Sequence, residues 1–213
     1  MQRWPIIFLI LSSLLLSCCA YNKFANLDSY RGPKQANLTI DENNLKAVIP
    51  ADGSSAKYKA SIDVLNNHFT GIIVLKKTDE QTKHLVFVTE LGMRMFDFEI
   101  RGDSIIPAFV FEPLNKPLLV NALVRNFKNI LLIDWFNKNV ELLKNKDKEV
   151  LHLSNKAQHL FLTRNENYFA AEQNVFYKTK KESKTIYTGE YAKINLKQFG
   201  VVKLFIALEK IIE

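Results

Sequence analysis

The sequence predicts a mainly β protein in which one long amphipathic helix covers a curved antiparallel sheet, a half-barrel. Three observations carry this reading. Short segments of alternating apolar residues recur over 36–112 and again over 150–208. Between them, over 118–135, the apolar spacing changes to three and four. Finally, 213 residues hold only 7 glycines and 6 prolines against 15 phenylalanines and 7 tyrosines, which suits long elements with economical turns and excludes low-complexity chains.

The elements follow in order. Segments 36–41 and 45–49 are short strands parted by Glu42-Asn43-Asn44, a turn signal. Segments 56–65 and 69–77 flank Asn66-Asn67-His68 and form a hairpin. After a Val- and Phe-rich strand at 84–89, segment 94–101 alternates cleanly. Phe96, Phe98 and Ile100 point one way, and Met95, Asp97, Glu99 and Arg101 the other, as in a half-buried strand with one wet face. Segment 105–112 follows the Gly102-Asp103 turn.

The helix is expected at about 114–136. Leu118, Leu119, Ala122, Leu123, Phe127, Ile130, Leu131 and Trp135 form its apolar stripe, and Asn121, Arg125, Asn126, Lys128 and Asn129 its polar side. Pro113 and Pro117 sit where a helix start tolerates them. Strands then resume at 150–153, 159–163, 168–177, 184–190, 192–196 and 201–208, with the lysine-rich 178–184 as a hairpin tip.

The N-terminus carries an address. Arg3 is the only charge before Tyr21, and an unbroken run of Ile, Phe, Leu and Ser occupies 6–16, the layout of a secretory signal. The apolar stretch 4–20 is shorter than the ~20 residues of a spanning helix. Leu15-Leu16-Ser17-Cys18 resembles the bacterial lipobox, in which the cysteine thiol receives a diacylglycerol and, after cleavage, the freed amino group is acylated. Cys18 is preferred over the alternative Cys19 because Ser17 is the better small residue before it. No cysteine follows from 20 to 213 to pair with either. The expected organisation is a signal peptide at 1–17, a lipidated N-terminus and tether at 18–35, and one β-rich domain at 36–213. With no aspartate and no acidic cluster after Cys18, the resemblance to lipoproteins implies an outer-membrane anchor facing the periplasm.

Composition and motifs narrow the function. The chain holds 29 Lys+Arg against 22 Asp+Glu, and losing the signal removes only Arg3. Export argues against nucleic acid, and no aromatic-and-basic recognition motif is present. The basic charge then serves anionic lipid headgroups, or is a solvated surface with no specific role. His68, His84, His152 and His159 are scattered without metal-ligand spacing, so no metal is expected. No nucleophile elbow or phosphate loop is present, and Asp97 with Glu99 reads as a solvated pair, so no catalytic residue and no enzyme activity is expected. Phe87, Phe96, Phe98, Leu119, Leu123 and Phe127 form the inward set. They either line an apolar hollow that takes a ligand or fill the core.

The layout as a whole, a lipobox followed by strands to about 112, a helix at 114–136 and a second set of strands, resembles the LolA/LolB-like lipoproteins. The segment Gly71-Ile-Ile-Val-Leu-Lys-Lys, with Thr89-Glu-Leu-Gly-Met-Arg-Met-Phe-Asp-Phe-Glu99, is similar to envelope lipoproteins of Bacteroidetes-type bacteria. The resemblance implies a half-barrel lidded by helices that receives acyl chains. Two functions follow as expectations. One is an outer-membrane-anchored protein that binds lipid or acylated protein, acting in envelope lipid or lipoprotein handling. The other is a structural or interaction lipoprotein that scaffolds an envelope complex without a small-molecule ligand. The expected cofactor is the covalent N-terminal diacylglycerol and N-acyl chain alone.

Cys18→Ala should abolish incorporation of a clickable fatty acid and release the protein from membranes. Loss with Cys19→Ala alone would move the anchor to Cys19, and loss with neither would remove the lipoprotein reading.

Overall fold

The computed structural model of the chain describes residues 31–39, 48, 54–79, 81–135, 138–145, 148–164, 171–178, 180–189 and 191–212. The predicted signal peptide at 1–17, both cysteines and the segment 41–47 lie outside the described residues.

Strand β1 (Arg31–Thr39) comes first. A meander follows, of β2 (Ser55–Val64), β3 (Asn67–Lys77), β4 (Thr82–Thr89), β5 (Arg94–Arg101) and β6 (Ser104–Val110). It leads into helix α1 (Pro117–Ile130), which has a short 3-10 turn on either side, Glu112–Leu114 and Ile133–Trp135. A second meander closes the chain: β7 (Asn139–Asn145), β8 (Lys148–Asn155), β9 (Gln158–Arg164), β10 (Glu172–Tyr177), β11 (Lys180–Thr188), β12 (Lys193–Gln198) and β13 (Leu204–Lys210). All pairings are antiparallel, in the order β1-β7-β8-β9-β10-β11-β12-β13-β2-β3-β4-β5-β6. The β13–β2 pairing joins the two meanders, and the sheet stays open between β1 and β6.

The mainly β class with one helix is therefore what the sequence predicts, and the described residues hold thirteen strands. β1 begins at Arg31, inside the segment read as tether, so 31–35 belong to the sheet. β7 was not anticipated. The helix proper is shorter than 114–136, and the 3-10 turns account for the difference. Pro117 opens it at the first helical position. It ends where Leu132 adopts a left-handed backbone (φ 54), a conformation that disfavours a side chain and that full burial of Leu132 holds in place.

The sheet curls around this helix. Neighbouring helix residues reach strands far apart in the order: the ring of Phe127 lies 5.6 Å from that of Phe96 on β5, while Asn126 hydrogen-bonds Gln198 on β12. In a flat sheet those two strands would stand ~24 Å apart, at ~4.8 Å per step. One helix touches both only because the sheet wraps it. The wrap is tightened at Gly71, where a Cβ would run into the carbonyl oxygen of Val88 on β4. Glycine alone lets β3 and β4 approach this closely.

The concave face is the core. Tyr58, Ile62, Ile73, Leu85, Phe87, Phe98, Leu160, Leu162, Leu196 and Ile206 on the strands are buried together with Leu123, Phe127 and Ile130 of α1. On β5 the predicted inward residues Phe96, Phe98 and Ile100 are buried, and Asp97 and Glu99 stay on the wet side beside Arg94, His84 and Arg101. Met95 departs from that pattern and is buried too. The β4–β5 register shifts between Phe87–Phe96 and Val88–Arg94, making Met95 the extra residue of a bulge, which releases it from strict alternation.

Candidate functional site

The predicted inward set converges beneath α1. Phe87 and Phe96 face each other across β4 and β5 with centroids 5.4 Å apart. Phe96 stacks on Phe98 at 4.7 Å, and Phe127 meets Phe98 edge-on at 6.2 Å. Leu119 and Leu123 lie two and one turns earlier on the same helical face as Phe127 and are buried, at 4% and 1% exposure. All six residues thus lie in one core cluster, and the four phenylalanine rings pack against one another. Such aromatic pairs contribute ~0.5–1.5 kcal/mol each beyond the area they bury.

The other half of the interface is polar, and sequence reasoning missed it. Asn126 and Asn129, expected on the wet side of the helix, are 0% and 6% exposed. Asn126 Nδ2 donates to the Ala122 carbonyl (2.6 Å) and to Gln198 Oε1. Asn129 Nδ2 donates to Ser183 Oγ at 3.2 Å. The Tyr187 hydroxyl lies 2.7 Å from Gln173 Oε1 and 3.1 Å from the Ile130 carbonyl at the helix end. Burial pushes the Tyr187 phenol far above its ordinary pKa, so it stays protonated and able to donate. Burial likewise pushes Tyr58, whose hydroxyl reaches the Val48 carbonyl at 3.4 Å, up to about 12.

This polar seam is incompletely satisfied. Asn126 Oδ1 and Gln173 Nε2 are buried with no hydrogen-bond partner among the described residues. Turning the Gln173 amide over would let it donate to Tyr187 while Tyr187 donates to Ile130, but the other amide atom would then lack a partner. Each such atom costs ~1–3 kcal/mol. The helix is therefore clasped by aromatic rings along β4–β5 and held less favourably over β10–β12.

On the outer face, side chains expected to stand apart meet. His152 on β8 and His159 on β9 stack, with His152 Nε2 3.1 Å from His159 Nδ1 and His152 Nδ1 2.8 Å from Glu141 Oε2. Their seven-residue spacing gave no sign of this, because antiparallel pairing of β8 with β9 creates the contact. Desolvation, then the neighbouring His152, lowers the His159 pKa. Among the described residues, clefts also lie outside the helix–sheet interface. A shallow one of about 500 Å³ crosses the outer faces of β12, β13, β2 and β3 beside Ile72, Asn195 and Ala207. A second, of about 300 Å³, opens between the start of α1 and the tips of β10–β13.

No protein-family model matches the chain, and no curated protein is significantly similar to it.

The seam yields a stability test. Asn126→Leu or Gln198→Leu alone should destabilise the fold by ~1–3 kcal/mol, because each leaves a buried partner unpaired. The double variant should recover most of that loss in denaturant melts, since it removes both partners together. Additive losses would show that the pair is replaced by nothing the interior can accommodate.

Proposed function

We propose that the chain is a lipid-anchored envelope protein that takes up an acyl chain, from a lipid or an acylated protein, against the concave face of its sheet. In this reading α1 is the element that yields. The observation that carries it is the split interface: an aromatic floor of Phe87, Phe96 and Phe98, suited to an acyl chain, lies under a helix whose other contacts include unpartnered buried atoms. An acyl chain would replace Leu119, Leu123 and Phe127 on that floor without loss of apolar contact, and releasing the helix would rehydrate Asn126 and Asn129. The lipobox at Cys18 supports placement at the outer membrane, and no catalytic step is part of the proposal.

A second reading rests on the ring contacts themselves. Because Phe96, Phe98 and Phe127 already pack ring against ring and Leu119 and Leu123 are buried beside them in the same core, a scaffolding lipoprotein with a permanently filled interior is the alternative.

Leu123→Ala separates the two. In a permanently filled interior the truncation costs ~2–5 kcal/mol and the wild-type protein binds no fluorescent fatty acid. In the carrier the fatty acid binds, and Leu123→Ala raises its apparent affinity by weakening the competing helix. A large stability loss with no binding by the wild type would sink the carrier reading.

A further inference from the structure

The strand connections alternate between two rims of the half-barrel, and the two rims differ in chemistry. One rim carries the β2–β3, β4–β5, β8–β9, β10–β11 and β12–β13 connections and the start of α1. Leu65, Leu91, Met93, Leu118, Phe199 and Val201 lie there and are exposed, Leu91 at 93% and Val201 at 91%. Tyr177 adds a half-exposed aromatic. At the opposite rim, Ile212 is the one exposed large apolar residue among the described residues, and the turns there carry Asp79, Gln81 and Asp103.

Neighbouring tips on the apolar rim are tied together. The Leu65 amide donates to the Lys203 carbonyl, joining the β2–β3 turn to the β12–β13 connection. The 300 Å³ cleft brings Leu118, Tyr177, Phe199 and Val201 together with Arg125, Lys180, Lys181 and a single acid, Glu182, which lies 3.9 Å from Arg125. Lysines ring the apolar tips: Lys116, Lys156, Lys178 and Lys203 are exposed in these connections, against Glu90 and Glu112. Two lysines also rest on the tip aromatic, with Lys197 Nζ 5.6 Å and Lys181 Nζ 5.9 Å from the Phe199 ring. Lysine stems lying along apolar surface with their ammonium groups outward suit the boundary between acyl chains and headgroups.

We propose that this rim is a docking surface for an anionic lipid bilayer. Exposed single apolar side chains enter the acyl boundary, and the surrounding lysines, with Lys180 and Lys181 at the cleft mouth, meet phosphate headgroups. Charge complementarity selects the bilayer, since each lysine near an anionic surface contributes ~1 kcal/mol and the acids are few. Chain length permits it as well. Arg31, where the sheet begins, pairs with Lys144 at the opposite rim. From an anchor at Cys18, the intervening residues reach about 40 Å when extended, more than the ~30 Å of a strand, so the apolar rim can turn onto the anchoring membrane. The surface is argued independently of whether an acyl chain enters the sheet.

The test uses the full chain in vesicles, with tryptophan placed at exposed turn positions as Val201→Trp or Leu91→Trp on the apolar rim and Asp103→Trp on the other. Lipids brominated in the acyl chain report contact, with the wild-type signal subtracted. In phosphatidylcholine mixed with phosphatidylglycerol, both apolar-rim tryptophans should be quenched severalfold more than Asp103→Trp. High salt, or Lys178→Glu with Lys180→Glu and Lys203→Glu, should cut that difference at least by half. Equal quenching at the two rims, or none at Val201 and Leu91, overturns the proposal. Quenching that is as strong in phosphatidylcholine alone, and indifferent to salt, overturns its electrostatic half. Loss of quenching would leave these tips to a protein partner instead.

Discussion

Everything in this fold depends on the docking of α1 into the concave face of the sheet. An antiparallel sheet of this width has one apolar face to cover, and its open edges leave no second layer of strands to do so. The helix supplies that cover through Leu119, Leu123 and Phe127, and the sheet bends until β5 and β12 both reach it. Curvature, core and site are consequences of that single contact.

The two ends of the contact differ in quality, and the proposed function is built on that difference. Along β4 and β5, rings stack and tilt at close distances, and nothing polar intrudes. Over β10–β12 the same helix buries two asparagines, and the seam they enter leaves amide atoms without partners. A buried polar group left unpaired weakens an interface far more than a paired one strengthens it. A helix held this way can leave one side of its seat at lower cost than a helix packed on hydrocarbon throughout. The bent sheet beneath it keeps continuous strand pairing from β7 to β6, so the unpartnered side-chain atoms of Gln173, Asn174 and Thr185 on β10 and β11 sit on strands whose backbones remain paired on both sides.

Much of this was legible in the sequence, and the failures have physical reasons. Strands with one wet face, such as β5, announced themselves through alternation, and the change of period marked the helix. β7 was hidden because Leu142 and Leu143 are both apolar. Leu142 packs on the main core, while Leu143 joins Val150, Phe161 and Phe176 in a second cluster, so both faces of that strand are covered and alternation fails. Asn126 and Asn129 looked like wet-side residues because polarity alone assigned them. Their partners, Gln198 and Ser183, lie 72 and 54 residues away and are brought near only by the strand order. The apolar rim was invisible for a related reason: each tip holds one or two apolar residues in a polar turn, and only the topology collects them.

The central claim is that α1 opens while the sheet stays folded, and native-state hydrogen exchange on the full chain tests it most directly. The account predicts that amides of α1 from Leu123 to Ile130 exchange through a partial opening that needs less free energy than global unfolding. Amides of β2, β3 and β13 should exchange only on global unfolding. Protection of α1 equal to that of β2 and β13, with one common denaturant dependence, would contradict the account and leave the helix a fixed part of a filled core.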